Sequence, residues 1–140
     1  KYLLPLVLHC RSENEGEAIY MVLEVLKRTV PESHPIHMHC FAGGMQEAQA
    51  CLQHFPYTIF GITAKVGTDM ETTIPQMPLN KLVLETDAPY LVPPAFQHVA
   101  QYSNPGMLME AAKVIATAKN IPLSLVCQVT TSVAKAFYKL

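Results

Sequence analysis

The sequence predicts an α/β fold with four parallel strands, and three observations carry the prediction. Four short apolar runs recur along the 140 residues, separated by stretches of helical spacing or by turn-forming residues. Those runs are nearly continuous in Leu, Val, Ile and Met rather than alternating with polar residues, as strands buried on both faces of a parallel sheet are. Three of them stop at an acid or an imidazole: Leu3–Leu8 runs into His9, Ile36–Met38 into His39, and Leu82–Thr86 into Asp87. Polar residues at the C-terminal ends of several strands are what the active site of an α/β barrel is built from. A complete eightfold barrel needs about 250 residues, so four such units make either half of a barrel or a small open sheet.

Taken in order, the first strand spans Leu3–Leu8 with Pro5 near its start. Ser12 and Glu15 have the spacing of a capping box, and Ala18, Val22, Val25 and Leu26 predict a helix to about Thr29. Pro31 and Pro35 bracket a turn into the second strand, Ile36–Cys40. Gly43 and Gly44 allow the chain to turn, and a helix from Met45 to about His54 places Met45, Ala48, Cys51, Leu52 and Phe55 on one flank. Tyr57–Ile62 is the third strand. Pro75 and Pro78 argue against a long helix before the fourth strand, Leu82–Thr86. A loop opened by Pro93 and Pro94 runs to Ser103, and Asn104 and Pro105 form an N-cap and first-turn pair for a helix carrying Leu108, Ala111, Ala112, Ile115 and Ala116. Pro122 predicts a second closing helix through Val126, and Thr131 or Ser132 a third.

With 50% hydrophobic residues, the chain suits one domain and not two. A formal net charge of -1 supplies no general cationic field, so affinity for nucleic acid would have to come from bound metal or a local patch, which weighs against a protein that coats DNA and leaves a nuclease open. Cys10, Cys40, Cys51 and Cys127 lack paired spacing and are expected reduced and mostly buried. The runs are too short for a transmembrane helix, and Pro5 with His9 argues against a signal peptide. The expectation is a cytoplasmic or nuclear protein with no membrane association and no obligate protein partner. Lys1 already stands at the lip of a strand, and half a barrel would leave sheet edges open. A portion of a longer chain is therefore expected.

His9, His39 and Asp87 are the candidate metal ligands, imidazole with carboxylate being a usual donor set for hydrolytic ions. The alternative for each is a structural role, as a hydrogen-bonded core histidine or a capping acid. His37 and Glu85 share the direction of His39 and Asp87 by two-residue alternation and would lie one layer deeper, as neighbours that orient the ligands. Arg11 is placed to grip a phosphate oxygen, or else is a solvated loop arginine. Tyr90 suits stacking on a base or, more simply, packing under its loop.

The segments Leu6–Arg11, His37–Gly43, Phe60–Ala64 and Leu84–Leu91, followed by Asn104 and Pro105, resemble the second half of the TatD-related metal-dependent deoxyribonucleases of the amidohydrolase superfamily. The details look most like the animal "TatD domain containing 2" branch. The resemblance covers nearly the whole chain and implies a single domain portion, residues 1–140, holding strands five to eight and the closing helices of a TIM-type barrel. It implies metal-assisted hydrolysis of phosphodiester bonds in DNA, at exposed strand ends, with two divalent ions, magnesium before manganese or zinc. His9 and His39 would ligate one ion; Asp87 would ligate the other and activate the attacking water. Arg11 would lie beside the phosphate path. The family's His-x-His pair and bridging glutamate would precede Lys1, so the 140 residues alone are expected to be inactive and the complete protein active. Two other readings stay open: an amidohydrolase of a small ester or amide, and a truncated product that binds or regulates without catalysis.

Overall fold

Alternate positions of each apolar run face opposite sides of a strand, and the fold uses both sides differently. The computed structural model describes residues 4–11, 17–65 and 68–140. Four strands, β1 (Leu6–His9), β2 (Ile36–His39), β3 (Thr58–Ile62) and β4 (Leu82–Leu84), form one sheet in the order β1-β2-β3-β4. Every adjacent pair is parallel, with His9 opposite His39, Met38 opposite Phe60 and Gly61 opposite Val83. The ladder continues one residue past β4, since the Glu85 amide donates to the Ile62 carbonyl at 2.9 Å.

Helices cover one face, and the end of the last of them reaches the other at His37. They are α1 (Glu17–Thr29), α2 (Met45–His54), α3 (Thr68–Gln76), α4 (Leu108–Lys119) and α5 (Leu123–Tyr138). Ile36, Met38, Phe60, Ile62 and Leu82 from the sheet join Leu23, Ala48, Cys51, Phe55, Ile74, Ile115 and Val126 from the helices in one buried core. Burying side chains of this size stabilises the fold by about 1.5–3 kcal/mol each before entropy is counted. The other face carries Val7, His9, His37, His39, Ile59, Gly61, Val83 and Glu85, by strand alternation and register. No helix is long and apolar enough to cross a membrane among the described residues. All four cysteines are free, with Cys40 and Cys51 buried.

The structure corrects several boundaries. β1 begins at Leu6, after Pro5, and includes His9, while β2 ends at His39 because Cys40 takes a positive φ of 49°. In α1 the buried stripe is Ile19, Leu23 and Leu26, with Val25 exposed, so the predicted face is rotated by about one residue. The Ser12–Glu15 capping box lies outside the described residues. A nine-residue α3 forms despite Pro75, which falls in its last turn, where the missing amide costs one bond and Met70, Ile74 and Met77 are fully buried. The two helices expected after Pro122 are one. Thr131 and Ser132 lie within it: Ser132 Oγ donates back to the Gln128 carbonyl at 2.9 Å instead of starting a new helix, as Thr130 Oγ1 does to Val126 at 2.8 Å. Asn104 does cap as expected, its Oδ1 accepting from the Gly106 amide at 2.9 Å.

Candidate metal centre

The site grows from the C-terminal ends of β1, β2 and β4. In-register pairing sets His9 beside His39, with ring centroids 5.3 Å apart and planes tilted by 44°. Asp87 lies three residues past the end of β4, at φ 53°, a left-handed conformation that Asp tolerates better than most residues. Its Oδ1 accepts from His39 Nε2 at 3.2 Å. On the other side of the same ring, His39 Nδ1 donates to Glu85 Oε1 at 2.7 Å. One imidazole is thus held between two carboxylates.

Glu85 is the hub. Its Oε1 also stands 3.1 Å from His37 Nε2, and its Oε2 accepts the Cys40 amide at 2.6 Å. Strands lie about 4.8 Å apart, so a side chain on β4 reaches β2 only by crossing β3. Gly61 leaves that path open, because a Cβ there would sit 1.9 Å from Glu85 Oε2. His37, 5% exposed, is held on its other nitrogen by the Tyr138 hydroxyl at 2.5 Å, which ties the last turn of α5 to the layer beneath the site.

These contacts decide protonation. Burial opposes charge on both His39 and Glu85. The carboxylates of Glu85 and Asp87 nonetheless hold the His39 pKa above its ordinary value. His37, His39 and the Cys40 amide hold that of Glu85 below its own. Ionised Glu85 holds the Nδ1 proton of His39, so the proton on Nε2, facing Asp87, is the one a cation would displace to reach that nitrogen's lone pair.

Cys40, in its left-handed conformation, is gripped by Arg11, whose Nη1 donates to the Cys40 carbonyl at 3.1 Å and Nη2 to Sγ at 3.0 Å. Burial raises the Cys40 thiol pKa, against a smaller opposing effect of Arg11, so Sγ accepts as a neutral thiol. The sequence placed Arg11 beside a phosphate; the structure shows it bracing the turn after β2.

The structure therefore gathers His39, Asp87 and Glu85 into one bonded chain, with His37 Nε2 close to Glu85 but outside hydrogen-bond geometry and the His9 ring tilted against its edge. Among the described residues, no three His, Cys, Asp or Glu side chains surround one point closely enough to hold an ion by themselves. The donor set fits part of a divalent site: an imidazole nitrogen facing a carboxylate, a second imidazole beside them, and a supporting carboxylate behind. Sequence reasoning missed Gly61, Cys40 and Tyr138. A glycine inside a buried strand was a readable sign of close approach; nothing in the pattern marked the other two. Tyr90, for which packing was the simpler expectation, is 71% exposed.

A parallel sheet gathering imidazoles and carboxylates at its strand ends is the layout in which α/β barrels carry their active sites. Comparison with known proteins makes this specific. The family model for TatD related DNase matches residues 1–139, and the chain belongs to that family. It is 36% identical over 126 residues to the human 3'-5' RNA nuclease TATDN2, covering 86% of this chain and 16% of that protein. It is 28% identical over 139 residues to the uncharacterized metal-dependent hydrolase YabD of Bacillus subtilis, covering 98% of this chain and 52% of YabD. Its fold matches the crystal structure of the TatD homolog YJJV from Escherichia coli with a TM-score of 0.79 at 24% identity, over 98% of this chain and 51% of that one. The TatD family hydrolase of Entamoeba histolytica gives 0.79 at 20% identity, over 97% and 51%. The chain thus spans about half the length of these solved structures, as the half-barrel expectation requires.

Proposed function

We propose that these residues form one side of the active site of a metal-dependent phosphodiesterase acting on DNA, with single-stranded DNA or RNA ends as substrate. The observation that carries the reading is His39 held between Glu85 and Asp87, with His9 alongside. The relatives support it: besides the human RNA nuclease, the Escherichia coli 3'-5' ssDNA/RNA exonuclease TatD is 37% identical over 95 residues, covering 64% of this chain and 34% of that protein. The complete protein performs the reaction in this reading, and the 140 residues alone do not.

His9, His39 and Asp87 would hold divalent ions, magnesium first and manganese or zinc as alternatives, two in the complete protein. Bound ions supply positive charge for the phosphate and lower the pKa of water. Asp87 accepts the proton of the attacking water through its carboxylate. Glu85 and His37 keep the His39 ring in place. Arg11, once the turn is braced, directs its remaining donors to a phosphate oxygen.

The test is the complete protein with His39→Ala, assayed on a single-stranded oligonucleotide and on bis-nitrophenyl phosphate, with bound metal measured in parallel. Loss of both activities together with metal is expected. Retention of full rate and metal content would sink the assignment, and hydrolysis of amides or lactones instead would favour an amidohydrolase.

A further inference from the structure

The loop after Asp87 carries a surface that the chemistry above does not use. Three large apolar side chains of this loop are exposed: Tyr90 at 71%, Val99 at 81% and Tyr102 at 62%. Two hydrogen bonds place the tyrosines. The Tyr90 amide donates to the Asp87 carbonyl at 2.9 Å, closing a turn whose ends lie within about 7 Å. The Ser103 amide donates to the Pro89 carbonyl at 2.9 Å, joining the two ends of the loop. Tyr90 and Tyr102 are the residues just inside that junction, so both stand at the rim on which Asp87 sits.

The composition of the loop says what this rim accepts. From Ala88 to Tyr102 there is no Asp, Glu, Lys or Arg, while Gln97 and Gln101 offer amides. Apart from the exposed imidazole of His98, such a surface has no cation to seize a phosphate and no anion to repel one. Exposed phenol rings without charge suit the flat faces of nucleobases, which stack on aromatic side chains whatever their sequence and are reachable only when unpaired. We propose that Tyr90 and Tyr102 are specificity-determining residues that stack on unpaired bases next to the scissile phosphate, selecting single-stranded ends over duplex. This inference rests on the nucleic-acid reading of the same site and adds to it the base-binding element.

The test uses the complete protein in an Asp87→Asn background that binds without cutting, with a fluorescein-labelled single-stranded oligonucleotide and magnesium, read by fluorescence anisotropy. Tyr90→Ala and Tyr102→Ala should each raise Kd about tenfold, in the range that loss of one base–aromatic stack produces. Tyr90→Phe and Tyr102→Phe should keep parental Kd. The effect of each Ala variant should vanish on an oligonucleotide made abasic at the terminal positions. Parental affinity in both Ala variants, or an equal loss on the abasic strand, would overturn the proposal. Hydrolysis of bis-nitrophenyl phosphate by the protein with Asp87 intact separates the two claims: if it occurs while the Ala variants bind normally, stacking is wrong and the phosphodiesterase stands. If the protein with Asp87 intact does not hydrolyse that compound and the Asp87→Asn protein does not bind the oligonucleotide, both fall.

Discussion

Glu85 extends across Gly61: a methyl group on that glycine would lie 1.9 Å from Oε2 and 2.1 Å from the carboxyl carbon. The absence of a side chain on β3 is therefore what lets an acid on β4 reach histidines on β2. Gly61→Ala should push the carboxylate away, leaving His39 and the Cys40 amide without their partner and destabilising the fold by about 1–3 kcal/mol. Denaturant unfolding measures it, and Glu85→Ala in the Gly61→Ala background should recover part of the loss as a non-additive pair. Full additivity would mean the two residues do not compete for the space.

Glu85→Gln should change how stability depends on pH. The folded-state pKa of Glu85 lies below its ordinary 4.5, so its contribution is present above that value and lost as pH falls. That of His39 lies above its ordinary 6.5, so its contribution is complete below that value and lost as pH rises through the folded-state pKa. In metal-free protein the cluster is strongest between about 4.5 and 6.5. Thermal unfolding against pH should show Glu85→Gln losing stability most within that window. The same variant should bind metal about 10- to 100-fold more weakly, the usual effect of losing a neighbour that orients a ligand.

Arg11 has one observed role, bracing Cys40, and one proposed role, at the phosphate, and the two can be separated. Arg11→Ala should raise KM for an oligonucleotide about tenfold, the loss of one bond to a charged group, and lower the melting temperature by freeing Cys40. Arg11→Lys should restore neither fully, because one ammonium cannot replace a fork bonded to both the carbonyl and Sγ of Cys40. Kinetics identical to the parent in Arg11→Ala would leave only the bracing role.

Cys51 should be inert. Burial pushes its thiol pKa up to about 12, with Cys10 and Glu47 adding to the rise. Iodoacetamide at pH 8 should leave it unmodified in the native protein and alkylate it after unfolding, as peptide mass mapping would show. Rapid native labelling would contradict its packing against the core.

Much of the fold was legible because hydrophobic spacing and chain order determine it. Four runs became four neighbouring parallel strands, and His39 and Asp87 met as their strand-end positions required. What escaped were features decided by tertiary packing. Pro75 was judged on local propensity, yet Met70, Ile74 and Met77 hold their helix in place. Thr131 and Ser132 look like helix starts in isolation, but both lie inside α5, where the Ser132 hydroxyl, like that of Thr130, bonds to the preceding turn. Glu85 was readable as an inward acid, whereas its reach depends on a glycine in a neighbouring strand, and its neighbour His37 is held by a tyrosine 101 positions away. Pairings over such distances leave no trace in periodicity.

The hydrogen bond between Ser103 and Pro89 closes the intervening loop at its neck. Residues 91–101 can consequently be lengthened, shortened or exchanged without transmitting the change to Asp87. That makes the loop a natural cassette: libraries confined to it would vary the exposed surface around His98 and Val99 while the hydrogen bonds joining His39, Glu85 and Asp87 stay as they are, and descendants of one ancestor could diverge by editing this stretch alone.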